Sequence, residues 1–269
     1  MKKLSATLLT LIFLLVFSIP VSANPAESDS HGLEPFKDAS TKSESEIDGY
    51  LKQMGFTDEE LGFTPLELKK DIASNGGTKI KIEELDPEVV IKDENGKTVA
   101  PSDKISTQDV KDGIFKMYGY AFKLESPNSR ENAYHVYASY NWERGPLAYY
   151  TDTLAMAWQS KVTPFRHPYS VHNWRSGSHL YQYENKLQKQ QIEGDAFEVD
   201  VLGYPDPQDG FARQEVRAPK SLTGQTGAVE IAYAHKTIPG VALAILNYFS
   251  IDFSGAGQQE YQDRFNFTY

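Results

Sequence analysis

Between Tyr134 and Trp158 the chain reads YHVYASYNWERGPLAYYTDTLAMAW, and bulky rings return at every second position along much of it. A period of two is the period of an extended strand, whose successive side chains point to opposite faces. Tyr134, Val136, Ala138, Tyr140 and Trp142 fall on one face, with His135, Tyr137, Ser139 and Asn141 on the other. The first set is expected inside. Glu143-Arg144-Gly145-Pro146 supplies turn chemistry, after which Leu154, Met156 and Trp158 resume the alternation. The expectation is that the chain doubles back, so that two paired strands set their large residues against one another.

The same rhythm fills the chain from Gly113 to Tyr269. Tyr118, Tyr120 and Phe122 carry it, as do Phe197, Val199 and Val201, then Val229, Ile231 and Tyr233. Val241 to Phe253 is the most apolar stretch beyond the N-terminus and is expected to form a central strand. Phe265, Phe267 and Tyr269 extend the pattern to the last residue, which pins the C-terminus in a sheet. Many strands separated by turn signals predict a mainly β fold, an antiparallel sandwich or barrel-like domain over residues 113–269.

A different period precedes it. Ile47, Tyr50, Leu51 and Met54 fall at helical spacing, and Gly55 stands where a C-terminal cap belongs. Thr57 with Glu60 and Thr64 with Glu67 are both spaced as capping boxes, the second with Pro65 at the first helical position. Residues 45–77 are therefore expected to make a small helical unit. In residues 78–112, Ile80 and Ile82 alternate with lysines, and Asp93-Glu94-Asn95-Gly96 marks a hairpin turn before a polar linker.

The first residues have another use. Lys2 and Lys3, the apolar run from Leu4 to Phe17 and the small residues Val21-Ser22-Ala23 make a secretory signal peptide cleaved after Ala23. Export follows, and residues 24–44, poor in large apolar side chains, are expected to be a flexible acidic leader. The chain has no cysteine, so burial alone must stabilise it. Removing Lys2 and Lys3 leaves 25 basic residues against 37 acidic ones. That balance argues against nucleic acid and against anionic membrane as partners, since both call for a positive footprint.

Candidate site residues gather in the middle of the chain. Arg166, His167, His172, Trp174, Arg175 and His179 are expected on a loop that contacts a ligand, with Tyr137, Tyr149 and Tyr150 as surface aromatics beside it. The histidine spacing matches no zinc motif, so no metal is assigned, and nothing calls for a cofactor. Nucleophile elbow, phosphate loop, dinucleotide fingerprint and calcium loop are all missing from the sequence. Carboxylates such as Glu143, Asp152, Glu184, Asp195 and Asp252 offer material for a glycosidase pair, but its separation is not legible in sequence, and the catalytic residues stay unassigned.

A signal peptide, the helical preface around Met54-Gly55-Phe56 and Leu66-Glu67-Leu68-Lys69-Lys70, and the aromatic segments Tyr140-Asn141-Trp142 and Ala155-Met156-Ala157-Trp158 together resemble a group of exported proteins from Gram-positive bacilli. No activity is assigned to that group, so the resemblance implies location and architecture and transfers no site residues. The expected function is that of a secreted or cell-envelope-associated binding protein whose ligand is a glycan or a protein. Two alternatives stand beside it. One is a hydrolase of an envelope polymer using Glu143 or Asp152 with a histidine from 167–179. The other is a membrane-active β-hairpin formed around Pro239-Gly240.

Overall fold

The computed structural model describes residues 32–84, 88–92, 98–99, 115–146, 149–203, 207–236, 245–246, 251–252 and 258–269. The expected signal peptide, the turn at residues 93–96, Pro239-Gly240 and most of Val241–Phe253 lie outside them. Helices come first: α1 (Glu44–Met54), α2 (Asp58–Phe63) and α3 (Leu66–Asn75). The strands that follow are β1 (Thr78–Lys79), β2 (Glu83–Glu84), β3 (Glu88–Lys92), β4 (Thr98–Val99), β5 (Phe115–Lys123), β6 (Glu131–Trp142), β7 (Thr151–Trp158) and β8 (Thr163–Ser176). After them come β9 (His179–Glu184), β10 (Lys186–Gln191), β11 (Gly194–Asp200), β12 (Gln208–Pro219), β13 (Thr226–Lys236), β14 (Ile245–Leu246), β15 (Ile251–Asp252) and β16 (Gln258–Thr268).

Two open antiparallel sheets form the body. The first runs β1-β5-β6-β12-β8-β9, and the second runs β10-β11-β7-β13-β16-β3-β4 with β2 paired to β16. The chain passes repeatedly from one sheet to the other, so neighbours in sequence are often in different layers.

The pair read from the opening stretch is one such case. β6 pairs β5 and β12, whereas β7 pairs β11 and β13. The two strands face each other across the sandwich and share no hydrogen bonds; Tyr140 and Trp142 meet the β7 residues Leu154, Met156 and Trp158 within one apolar core. Alternation fixes which face is buried, and it is satisfied equally by a partner alongside or a partner opposite.

The helices form a third layer on the other face of the first sheet. Ile47, Leu51, Met54, Leu61, Leu68 and Ile72 pack on Tyr120, Phe122, Tyr137, Val171 and Phe211. β6 is thereby buried on both faces, and Tyr137, expected at the surface, is only 1% exposed. Its hydroxyl donates to Asp71 Oδ2 of α3 at 3.0 Å, and Arg213 Nη1 reaches both oxygens of that carboxylate at 2.7 Å. Strand and helical faces that each looked complete in sequence are one interface.

Of the expected caps, Gly55 and the Thr57 box form, and a further box forms at Ser43. Ser43 and Glu46 form a capping box at α1, as Thr57 and Glu60 do at α2, and Gly55 ends α1 at φ 111°. The box expected at Thr64 and Glu67 does not form. Thr64 Oγ1 instead donates to the Glu60 carbonyl at 2.7 Å and lies 3.1 Å from the Tyr120 hydroxyl, closing α2 and fastening it to the sheet. The second half of the expected leader is also docked: Phe36 stacks on Tyr50 at 4.9 Å, Leu33 bridges to Gly77, and Ala39 is buried. In the second sheet Phe265 is buried, and its ring fills the space a Cβ would need at Gly119 of β5.

Candidate functional site

Residues 163–184, expected to hold a binding loop, are the β8–β9 hairpin at the edge of the first sheet. The irregular element is a bulge inside β8. Arg213 of β12 stands opposite Tyr169 and Glu215 opposite Phe165, so Arg166, His167 and Pro168 together oppose Gln214. Proline has no N–H for the ladder, and Arg166 takes a left-handed φ of 67°. Gln214 Nε2 holds the bulge by donating to the carbonyls of Phe165 and Arg166 at 2.9 and 3.3 Å. Arg166 and His167 are exposed on it, with Arg166 Nε 3.5 Å from Glu215.

The other end of the hairpin carries an aromatic ladder. His172 is opposite Tyr183 and Trp174 is opposite Tyr181, which places all four on one face. Trp174 and Tyr181 stack at 4.9 Å with planes 12° apart, and Tyr183 meets Trp174 edge-on at 5.6 Å. The ladder runs from buried His172 through half-buried Trp174 to Tyr181, 44% exposed. His179 continues it, its ring 6.4 Å from that of Tyr181. A flat π surface at a sheet edge is suited to stacking against apolar faces of a ligand.

His172 anchors the ladder and does not act at its tip. The Tyr140 hydroxyl donates to Nδ1 at 2.6 Å, and Nε2 donates to Gln208 Oε1 at 3.0 Å. Burial pushes its pKa down to about 4, so the ring is neutral and both nitrogens are engaged. Its expected role as a ligand contact is corrected to a structural one. Gln208 extends the network: its Oε1 accepts from the Leu202 N–H at 2.8 Å and its Nε2 donates to the Leu202 carbonyl at 2.5 Å. Leu202 precedes Gly203, against which the Tyr149 ring lies, and Tyr149 is 66% exposed.

The structure thus gathers Trp174, His179 and His172 toward the turn end of the hairpin, with Tyr149 linked to them through Gly203, Leu202 and Gln208. Tyr150 is half-buried just before β7, and Arg175 is exposed on the opposite face of β8. Arg166 and His167 lie eight and seven residues from Trp174 along β8, over 20 Å away at about 3.3 Å per residue. Tyr137 is under the helices. Tyr181, Tyr183 and Gln208 were missed by the sequence reading; the alternation of His179, Tyr181 and Tyr183 would have pointed to the two tyrosines.

Glu143 and Asp152, the two carboxylates named for the hydrolase alternative, sit in different surroundings. Glu143 is exposed and paired with Lys116 at 2.7 Å. Asp152 is sealed in the core, where it accepts from the Tyr233 hydroxyl, the Lys236 N–H and His235 Nδ1, each at 2.9 Å. Its histidine partner comes from β13, outside 167–179. Among the described residues no group of three or more histidine, aspartate or glutamate side chains is placed to hold a metal ion.

No protein-family model matches the chain, and no curated protein does. Among solved structures it is similar to the Clostridium perfringens NetB toxin in its membrane-inserted form, at 7% identity and a TM-score of 0.30, over 58% of this chain and 94% of that one. It is also similar to TmCBM61 in complex with β-1,4-galactotriose, at 9% identity and a TM-score of 0.19, over 70% of this chain and 88% of that one. At these scores neither likeness carries an argument about ligand or activity.

Proposed function

We propose that the protein is a secreted or cell-envelope-associated binding protein, and that the β8–β9 hairpin contacts an envelope glycan or protein. The observation that carries this reading is the stacked Trp174–Tyr181 pair, which leaves a large ring exposed on an edge hairpin. Tyr149 adds a second exposed ring near the same end. Exposed aromatic anchors with rigid neighbours are the groups that dominate binding energy at interfaces. The hydrophobic run and small-residue cleavage motif at the N-terminus support export.

The test is retention of the exported protein, from Asn24 onward, on isolated cell envelopes. Trp174→Ala and Tyr181→Ala are each expected to weaken retention by about tenfold or more, as loss of a hot-spot aromatic does. Wild-type protein that passes through unretained, or variants retained as well as wild type, would overturn the reading.

A further inference from the structure

We propose that the opposite face of the same hairpin carries a track for an extended glycan, offered by Asn141, Asp209 and Gln182 with Lys116 at its far end, and braced from beneath by Asn173, which is buried. The proposal rests on the reading above that the protein binds an envelope component, and adds to the ring face a second contact surface with a ligand class of its own.

The track follows from register. Lys116 of β5 is opposite Asn141 of β6, Asn141 opposite Asp209 of β12, Asp209 opposite Asn173 of β8, and Asn173 opposite Gln182 of β9. Directly opposed residues share a face, so five polar side chains form one row perpendicular to the strands. The next row along the same face contains Tyr118, Phe211 and Val171, which pack under the helices. A polar row directly beside that apolar one is not required by the fold.

Its inner part is already oriented. Gln182 Nε2 donates to Asn173 Oδ1 at 2.8 Å, and Asn173 Nδ2 donates to Asp209 Oδ1 at 2.8 Å. The bonds fix which way each amide points. Among the described residues, no side-chain hydrogen bond engages Asn141 or Asp209 Oδ2, and both residues are partly open to solvent. Partial burial raises the Asp209 pKa to about 6, against the opposing effect of the Asn173 hydrogen bond and the Arg175 charge.

Those properties fit a polyhydroxylated ligand. A sugar hydroxyl both donates and accepts, so amide groups and a carboxylate meet it without needing net charge on the ligand. Strands lie about 4.8 Å apart, so the open side chains of Asn141, Asp209 and Gln182 are spread over a length that only a ligand of several sugar units spans. At the edge of the row Phe63 of α2 stacks on Tyr118 at 4.5 Å, a half-buried aromatic pair of the kind that takes the C–H face of a sugar ring.

Calorimetric titration of the exported protein with hexasaccharides of β-1,4-linked glucose, xylose and N-acetylglucosamine tests the track. Saturable binding to at least one of them is expected, weakened about tenfold by Gln182→Ala and by Asn141→Ala, the effect of one or two lost hydrogen bonds. Gln182 is exposed on the edge strand, so its variant retains the fold. Trp174→Ala, on the other face, is expected to change glycan affinity by less than about twofold. Glycan binding that is lost in Trp174→Ala and unchanged in both row variants would overturn the track while leaving the binding function intact. Absence of heat with every glycan, alongside envelope retention traced to a protein, would overturn it too. Failure of the binding reading itself shows separately, as a wild-type protein that envelopes do not retain.

Discussion

Asp195 is the residue least at ease in its surroundings. It lies on β11 on the same face as Phe197 and Val199, which belong to the core between the sheets, and it is 0% exposed. Among the described residues neither carboxylate oxygen has a hydrogen-bond partner. Burial alone raises its pKa to about 7. The native state therefore holds a proton there that the unfolded chain has released. The resulting stabilisation is complete below about pH 4, falls as pH rises through about 7 and is then gone, at up to roughly 1.4 kcal/mol per pH unit. Between pH 4 and pH 8 the melting temperature of wild type is expected to fall relative to that of Asp195→Asn, which stays neutral throughout, the opposite contribution of buried histidines such as His172 being common to both. Parallel curves for the two proteins would refute the assignment. Sequence named Asp195 only as one carboxylate among several, because isolation from charge and water depends on which strands lie opposite. Tyr137 was misplaced for a related reason: period two separates two faces without saying that both are covered.

Between elements, the helical layer is held to the first sheet by Asp71, Arg213 and Tyr137 as well as by apolar contact. Asp71 and Arg213 are half-buried, and removing one partner strands the other's charge. Arg213→Ala is expected to cost about 2–4 kcal/mol, with Asp71→Leu combined with Arg213→Met recovering most of the loss, because a buried pair is worth little against well-packed apolar replacements. Denaturant midpoints of the single and double variants check this, and a double variant no more stable than Arg213→Ala would contradict it. Element by element, much was legible. The stripe of Ile47, Leu51 and Met54, the box at Thr57, and the buried sides of β11, β13 and β16 are local patterns, and local patterns survive in sequence. Partners were not. β6 and β7 were read as neighbours because they are consecutive, and β8 was read as a loop because its histidines, arginines and prolines resemble one; its bulge accommodates Pro168, and β12 supplies the ladder.

For the molecule as a whole, three layers mean that the helical unit is part of the core. Tyr120, Phe122, Tyr137, Val171 and Phe211 would face water without it. A chain beginning at Thr78 is expected to aggregate or to bind a hydrophobic dye strongly, whereas the chain from Asn24 stays monodisperse on gel filtration. A soluble, dye-silent fragment would show that the first sheet needs no cover. The candidate site was half legible at this scale: Trp174 and His179 were named, and the register that aligns Asn141, Asp209, Asn173 and Gln182 across four strands could be found only once the strand order was known. The repeated crossing of the backbone has a consequence of its own. No uninterrupted segment contains all of either sheet without strands of the other, since the two are interleaved along the chain. A nick anywhere between β2 and β12 therefore divides both at once, and neither layer can be inherited, exchanged or engineered without strands of the other.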